Sequence, residues 1–175
     1  ANKLANEGVE HGDRVVLLME NRPNFVISLI AINKVGGIGV LINTSLTGKP
    51  LVHCINTSDS KKCIFGDELS GSLEGVLSEI NITKSSDFLW VEDSKPDNCP
   101  DWASNINNNS DHSKTSNLNE TDQVIAGDTA FYIFTSGTTG VPKAALFTNQ
   151  KLVAGSKNIV MAGYRLTNED CMYNC

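Results

Sequence analysis

The chain has 175 residues, 40% of them hydrophobic and 19% charged, with a formal net charge of -6. That length and composition fit an ordinary globular protein able to bury a real core, as one domain or part of one. The acidity is mild and not gathered into blocks, which argues against a nucleic-acid partner held by phosphate neutralisation and favours a small-molecule site.

Taken in order, Leu4 to Glu7 read as the end of a helix closed by Gly8, and Arg14 to Met19 as a buried strand. Asn21 is placed to cap a helix with Pro23 in its first turn, where a missing N–H costs nothing. Phe25, Leu29 and Ile32 recur at helical spacing, with Val26 and Ile30 beside them, up to Gly36. Ile38 to Ile42 is a second strand, so this span is a βαβ unit with parallel strands and a right-handed crossover. The alternation continues with a helix from about Gly48 to Thr57, a strand from Lys62 to Phe65, a helix from Glu68 to Ile80 and a strand from Phe88 to Val91. The fold class is α/β, a mainly parallel sheet flanked by helices.

From Asp93 to Asp122 the composition turns to Asn, Ser, Asp, Thr and Lys, interrupted by Trp102, Ala103, Ile106 and Leu118. So little apolar surface predicts an extended or disordered surface insertion within one domain. Trp102 is expected either to anchor that insertion or to face a partner. Beyond it, Ala130 to Thr135 and Ala144 to Phe147 read as strands, Asn149 as the cap of a helix running to Gly163, and Asp170 to Cys175 as the start of a strand.

Between the two later strands lies TSGTTGVPK. Thr135, Ser136, Gly137, Thr138, Thr139 and Gly140 offer hydroxyls and a backbone that two glycines let bend, and Lys143 adds a mobile cation after Pro142. Successive N–H groups in such a turn can hold an anion, and a nucleotide triphosphate is the natural guest. The loop differs from the P-loop of common NTPases. Only two residues separate its glycines, proline precedes the lysine, alanine follows it, and a strand takes the place of the helix.

TSGTTGVPK resembles the phosphate-binding signature of the adenylate-forming enzymes, the superfamily of acyl-CoA synthetases, luciferases and peptide-synthetase adenylation domains. The following alanines, together with GDRVVLLMENRPNFV (Gly12 to Val26) and KVGGIGVLINTSLTGKPLVHCINTS (Lys34 to Ser58), resemble the fatty acid transport protein and very long-chain acyl-CoA synthetase branch. The resemblance implies part of the large N-terminal AMP-binding domain over residues 1–175, with a polar insertion at 93–122 and no C-terminal domain. It implies an ATP-dependent ligase that makes acyl-CoA, AMP and pyrophosphate from a fatty acid and coenzyme A through an acyl-adenylate. Thr135, Ser136, Gly137, Thr138, Thr139 and Gly140 would wrap the β- and γ-phosphates, and Lys143, the catalytic residue, would steady the leaving pyrophosphate. The Mg2+-ligating glutamate, the adenine contacts and the adenylation lysine would lie beyond Cys175, so the chain alone is expected to be inactive. The family usually places a histidine shortly after the loop, where this chain has Asn149. Family resemblance also implies a place on the cytosolic face of the endoplasmic reticulum, peroxisome or plasma membrane, reached through segments outside these residues.

Two rival readings stand beside this one: a fatty-acid uptake or interaction protein that keeps the fold without the ligase step, and a degenerate short product. The remaining chemistry-bearing residues offer less. Cys54, Cys63, Cys99, Cys171 and Cys175 are an odd number without a CxxC pair, so reduced thiols are expected rather than a disulfide framework or zinc ribbon. His11, His53 and His112 are scattered, and a turn, a helix face and a polar loop account for them better than a metal. Asn43, Asn56, Asn81, Asn108 and Asn119 begin sequons that an Asn- and Ser-rich composition produces by chance. No apolar run approaches the roughly 20 residues of a membrane helix. The opening on Ala1, with neither an initiating methionine nor a signal pattern, reads as a start in mid-protein.

Overall fold

A computed structural model describes residues 1–92, 98–107, 116–135, 142–158, 163–165, 167, 169 and 170 of the chain. A first helix, α1 (Asn2–Asn6), leads through Gly8 at φ +78° into β1 (Arg14–Leu18), then α2 (Pro23–Lys34) and β2 (Ile38–Leu41). These are followed by α3 (Gly48–Ser58), β3 (Lys62–Gly66), a 3₁₀ turn (Asp67–Leu69), α4 (Ser70–Glu74), β4 (Phe88–Val91) and the two-residue β5 (Ser104–Asn105). The chain then forms a hairpin of β6 (Thr129–Thr135) and β7 (Lys143–Thr148) and the helix α5 (Asn149–Lys157).

One seven-stranded sheet has the order β5-β4-β3-β1-β2-β6-β7. Every neighbouring pair is parallel except β6 with β7. β1 sits at the centre with Val15, Val16, Leu17 and Leu18 all buried, as a strand covered on both faces must be. Its alternate side chains feed two cores. Val16 and Leu18 pack with Leu51, Cys54 and Ile55 of α3 and with Leu69, Leu73 and Val76. Val15 and Leu17 pack with Leu4, Ile32 and Val35, against the partly buried Phe25 and Leu29 of α2. At Gly39 in β2 an added Cβ would lie 2.7 Å from Leu29 Cδ1, so glycine there lets α2 seat against the sheet.

Three local expectations are revised. The helix expected over Glu68 to Ile80 is broken into the 3₁₀ turn, α4 and further turns closed by Val76 N to Leu73 O and Glu79 N to Val76 O. Gly71 and Gly75 raise the entropy cost of a continuous helix, yet Leu69, Leu73, Val76 and Ile80 are all buried, so the apolar pattern holds while the conformation changes. The N-cap of α2 is Arg22 rather than Asn21 and makes no side-chain capping bond. The N-cap of α5 is Thr148, whose hydroxyl accepts from Lys151 N, while Asn149 is the first helical residue and donates through Nδ2 to Ile125 O. The strand expected from Asp170 and the end of the helix expected to reach Gly163 fall largely outside the described residues.

The described parts of the polar stretch are tied down at its few apolar residues. Trp102 stacks on Phe65 with centroids 5.1 Å apart and meets Phe88 edge-on at 5.4 Å. It is therefore an anchor. β5 extends the sheet beside β4, Ile106 N donates to Trp90 O, and Leu118 and Ile106 pack against the core under α2.

At the sheet's other edge of connections, His11 Nε2 lies 3.0 Å from Asp128 Oδ2, and Ile125 N donates to the same carboxylate oxygen at 2.9 Å. These bonds, the backbone bond from Ile125 first, hold the Asp128 carboxyl below its usual range. The folded state thus favours the ionised form. Its contribution is present above the ordinary carboxylate value of 3.8 and disappears as pH falls through the lowered folded value. Asp128→Asn is accordingly expected to reduce stability at neutral pH, with the gap to wild type closing below that value in urea titrations across pH. Trp102→Ala should lower unfolding free energy by about 2–4 kcal/mol. Chemical denaturation checks this, with Trp102→Phe retaining much of the stacking.

Candidate functional site

All parallel strands deliver their carboxyl ends to one edge of the sheet, and there the connections diverge. After β1 the chain turns to α2 on one face, and after β2 it turns to α3 on the other. Such a topological switch point opens a crevice between the two loops, the usual ligand position in an open α/β sheet. A cavity of about 530 Å³ occupies it. Met19, Glu20 and Asn21 from the β1–α2 loop form one wall, and Ile42, Asn43 and Thr44 after β2 form another. Phe25 of α2 and Ile133 and Phe134 of β6 complete an apolar floor beneath a polar rim.

Among the described residues, an ion pair holds the rim. Arg22 Nη1 lies 3.1 Å from Glu68 Oε2, with the two side chains only 13% and 20% exposed. Arg22 Nη2 donates to Val91 O at 3.2 Å, and Glu20 N donates to Glu68 Oε1 at 2.8 Å. One carboxylate from the β3–α4 connection thus fixes both the backbone and the guanidinium of the β1–α2 loop. Asn43 Oδ1 accepts from Ser45 N at 2.9 Å, a local turn that shapes the opposite wall.

Ile133 and Phe134 immediately precede Thr135, so the strand that floors the cavity is also the one that launches the glycine-rich stretch. Thr135 and Lys143 are the last register pair of the hairpin, and Thr135 Oγ1 donates to Lys143 O at 3.3 Å. Both residues are exposed at the cavity's edge of the sheet. Ser136, Gly137, Thr138, Thr139 and Gly140 lie outside the described residues. At the far end of the stretch, His53 Nε2 lies 3.4 Å from Pro142 O. Arg22 and Glu68 are site residues that the sequence did not single out, and from sequence His53 reads only as a residue on a helix face. A contact spanning 89 positions leaves no local spacing to detect, and an arginine before a helical proline carries no partner signal.

The thiols stand apart from this chemistry. Cys54 and Cys63 are buried, Cys99 is half-buried, and desolvation pushes the thiols up, Cys63 most strongly. Among the described residues, no three His, Cys, Asp or Glu converge on a point. The Mg2+ implied by the resemblance finds no cluster of protein ligands among the described residues. No helix among the described residues is long and apolar enough to cross a membrane.

An open parallel sheet whose switch-point cavity adjoins a hydroxyl- and glycine-rich strand–loop–strand defines an α/β ligand-binding domain. The chain belongs to the AMP-binding enzyme family, whose model matches residues 1–175. It is 32% identical to long-chain fatty acid transport protein 6 of Mus musculus over 97% of this chain and 26% of that protein. It is 31% identical to the medium/long-chain-fatty-acid–CoA ligase FadD6 of Mycobacterium tuberculosis over 98% of this chain and 27% of that protein. The chain thus spans about a quarter of the length of these relatives. The solved long-chain-fatty-acid-CoA ligase FadD1 of Archaeoglobus fulgidus shares the fold, with a TM-score of 0.74 and 21% identity over 97% of this chain and 32% of that one.

Arg22→Ala should lower stability by about 1–3 kcal/mol, because it leaves the Glu68 carboxylate half-buried without its partner. Arg22→Lys should recover only part, since an ammonium cannot reach Glu68 and the Val91 carbonyl as a fork does. Urea unfolding of both variants measures this.

Proposed function

We propose that this chain forms the phosphate-gripping part of an ATP-dependent fatty acid–CoA ligase. Thr135, Ser136, Gly137, Thr138, Thr139, Gly140 and Lys143 grip the β- and γ-phosphates. The observation that carries the reading is the hairpin itself: Thr135 and Lys143, the two ends of TSGTTGVPK, are paired across β6 and β7 beside the switch-point cavity. The two relatives' names, one a fatty-acid CoA ligase and one a fatty acid transport protein, support the substrate class.

In a chain of the relatives' length, an acyl carboxylate oxygen attacks the α-phosphorus of ATP. The bond from that phosphorus to the bridging oxygen breaks, and pyrophosphate leaves with the electron pair. The thiol sulfur of coenzyme A then attacks the acyl carbon, loses its proton and expels AMP. The part assigned to this chain is the first departure. Negative charge grows on the leaving pyrophosphate in the transition state, and preorganised hydroxyls, N–H groups and the Lys143 ammonium stabilise it there. Nothing in that role requires Lys143 to be buried, and it stands exposed at the loop's end with its backbone held in the ladder.

Lys143→Ala in a full-length protein carrying this chain should cut AMP release that depends on fatty acid and coenzyme A by a hundredfold or so. A coupled AMP assay measures it, and undiminished turnover would remove Lys143 from the reaction. A full-length protein that binds ATP and promotes fatty-acid uptake without releasing AMP would support the transport reading instead.

A further inference from the structure

We propose that His53 is a positioning residue for Lys143, an inference that rests on reading Lys143 as the phosphate-binding cation. His53 lies on α3, far from the hairpin in sequence, and its Nε2 meets the carbonyl oxygen of Pro142 at 3.4 Å. A carbonyl oxygen only accepts, so Nε2 carries the proton and donates it. On the other side of the ring, Nδ1 lies 3.4 Å from the hydroxyl of Thr57, one helical turn further along α3. In the tautomer with the proton on Nε2, Nδ1 is an acceptor, which matches a hydroxyl donor at that position. The Pro142 contact thus sets the tautomer, and the Thr57 hydroxyl, which can donate or accept, is compatible with it.

The consequence falls on the lysine. The Pro142 carbonyl shares a rigid peptide plane with the amide nitrogen of Lys143, so a bond to that carbonyl fixes the plane on the lysine's N-terminal side. The plane on its C-terminal side is held by Thr135 Oγ1, which donates to Lys143 O at 3.3 Å. One side chain from α3 and one from β6 thus pin the peptide planes on both sides of Lys143. Proline before the lysine adds to this, because its ring fixes one backbone torsion and leaves the carbonyl as that residue's remaining backbone hydrogen-bonding group. The Lys143 side chain is left exposed on a backbone held through both adjacent peptide planes.

The test uses His53→Phe, which keeps a ring and removes the donor, and His53→Gln, whose amide offers an N–H near the former Nε2. Two readouts are taken on a full-length protein carrying this chain. Amide hydrogen exchange and the NMR shift at Lys143 report the pinning directly, and titration with inorganic pyrophosphate reports the grip. The expected result is faster exchange and a shifted amide at Lys143 in His53→Phe, both restored in His53→Gln, with wild-type thermal stability nearly kept in each. Pyrophosphate affinity should fall about three- to tenfold in His53→Phe and return to within about twofold in His53→Gln. Unchanged exchange at Lys143 in His53→Phe, or equal loss in both variants, would overturn the positioning role. If wild type binds no pyrophosphate, the phosphate reading fails by itself, and the Lys143 amide still decides whether His53 positions it.

Discussion

The handedness of the crossovers around β1 governs this molecule. A strand feeding a helix that returns to a parallel neighbour must pass the sheet right-handedly, so moving outward on one side of β1 and outward on the other puts the helices on opposite faces. α2 and α3 obey that rule, and the two cores they cover share β1 as their common wall. The loops after β1 and β2 then have to part. The cavity lined by Glu20, Asn21, Asn43 and Thr44 is the gap left by that parting, and β6 brings Thr135 to the same edge because it too runs parallel to β2. The location of the site is thus a by-product of strand order, before any side chain is chosen for chemistry.

Reversal of direction at β7 sets the proposed phosphate grip apart from a P-loop. A P-loop aims the amino end of a helix at phosphate, whereas here the chain returns as an antiparallel strand, with the ladder closed at the Thr135–Lys143 pair. The helix that follows, α5, starts only after Thr148 and near the opposite edge, where Asn149 N and Gln150 N donate to the carbonyls of Asp128 and Ala126. Its amino end is therefore remote from the Thr135–Lys143 pair. If a phosphate binds at this edge as proposed, Thr135 and Lys143, paired at the end of the ladder, are the described residues of that stretch placed to meet it.

Most of the sheet was legible in the sequence because its strands are buried on both faces. Val15 to Leu18, Cys63 to Phe65 and Phe88 to Val91 are short apolar runs between polar breaks, and each forms a strand. Legibility fell where conformation and burial part company. Between Leu69 and Ile80 the apolar spacing is helical and the residues are buried, yet two glycines break the helix. In α2 the spacing of Phe25, Leu29 and Ile32 marked the face that packs on the core, but Val26 and Ile30 beside them are exposed and Ser28 is buried. The ends of the glycine-rich stretch were readable from composition alone. Arg22, Glu68 and His53 were not, since each owes its role to a partner brought near only by folding.

Strand order also sets a sequence of events. β1, β2 and β3 are joined by short connections, so their pairing closes small loops. β6, by contrast, pairs with β2 only after the chain has passed through β3, β4, β5 and the polar stretch between. Closing a larger loop costs more entropy, and such non-local pairing tends to come late. The β6–β7 hairpin is local and can form by itself, but its docking awaits a finished β1–β2 edge and a seated α3. By that tendency the β6–β7 hairpin docks late, and its seating depends on the α3 side of the core being formed.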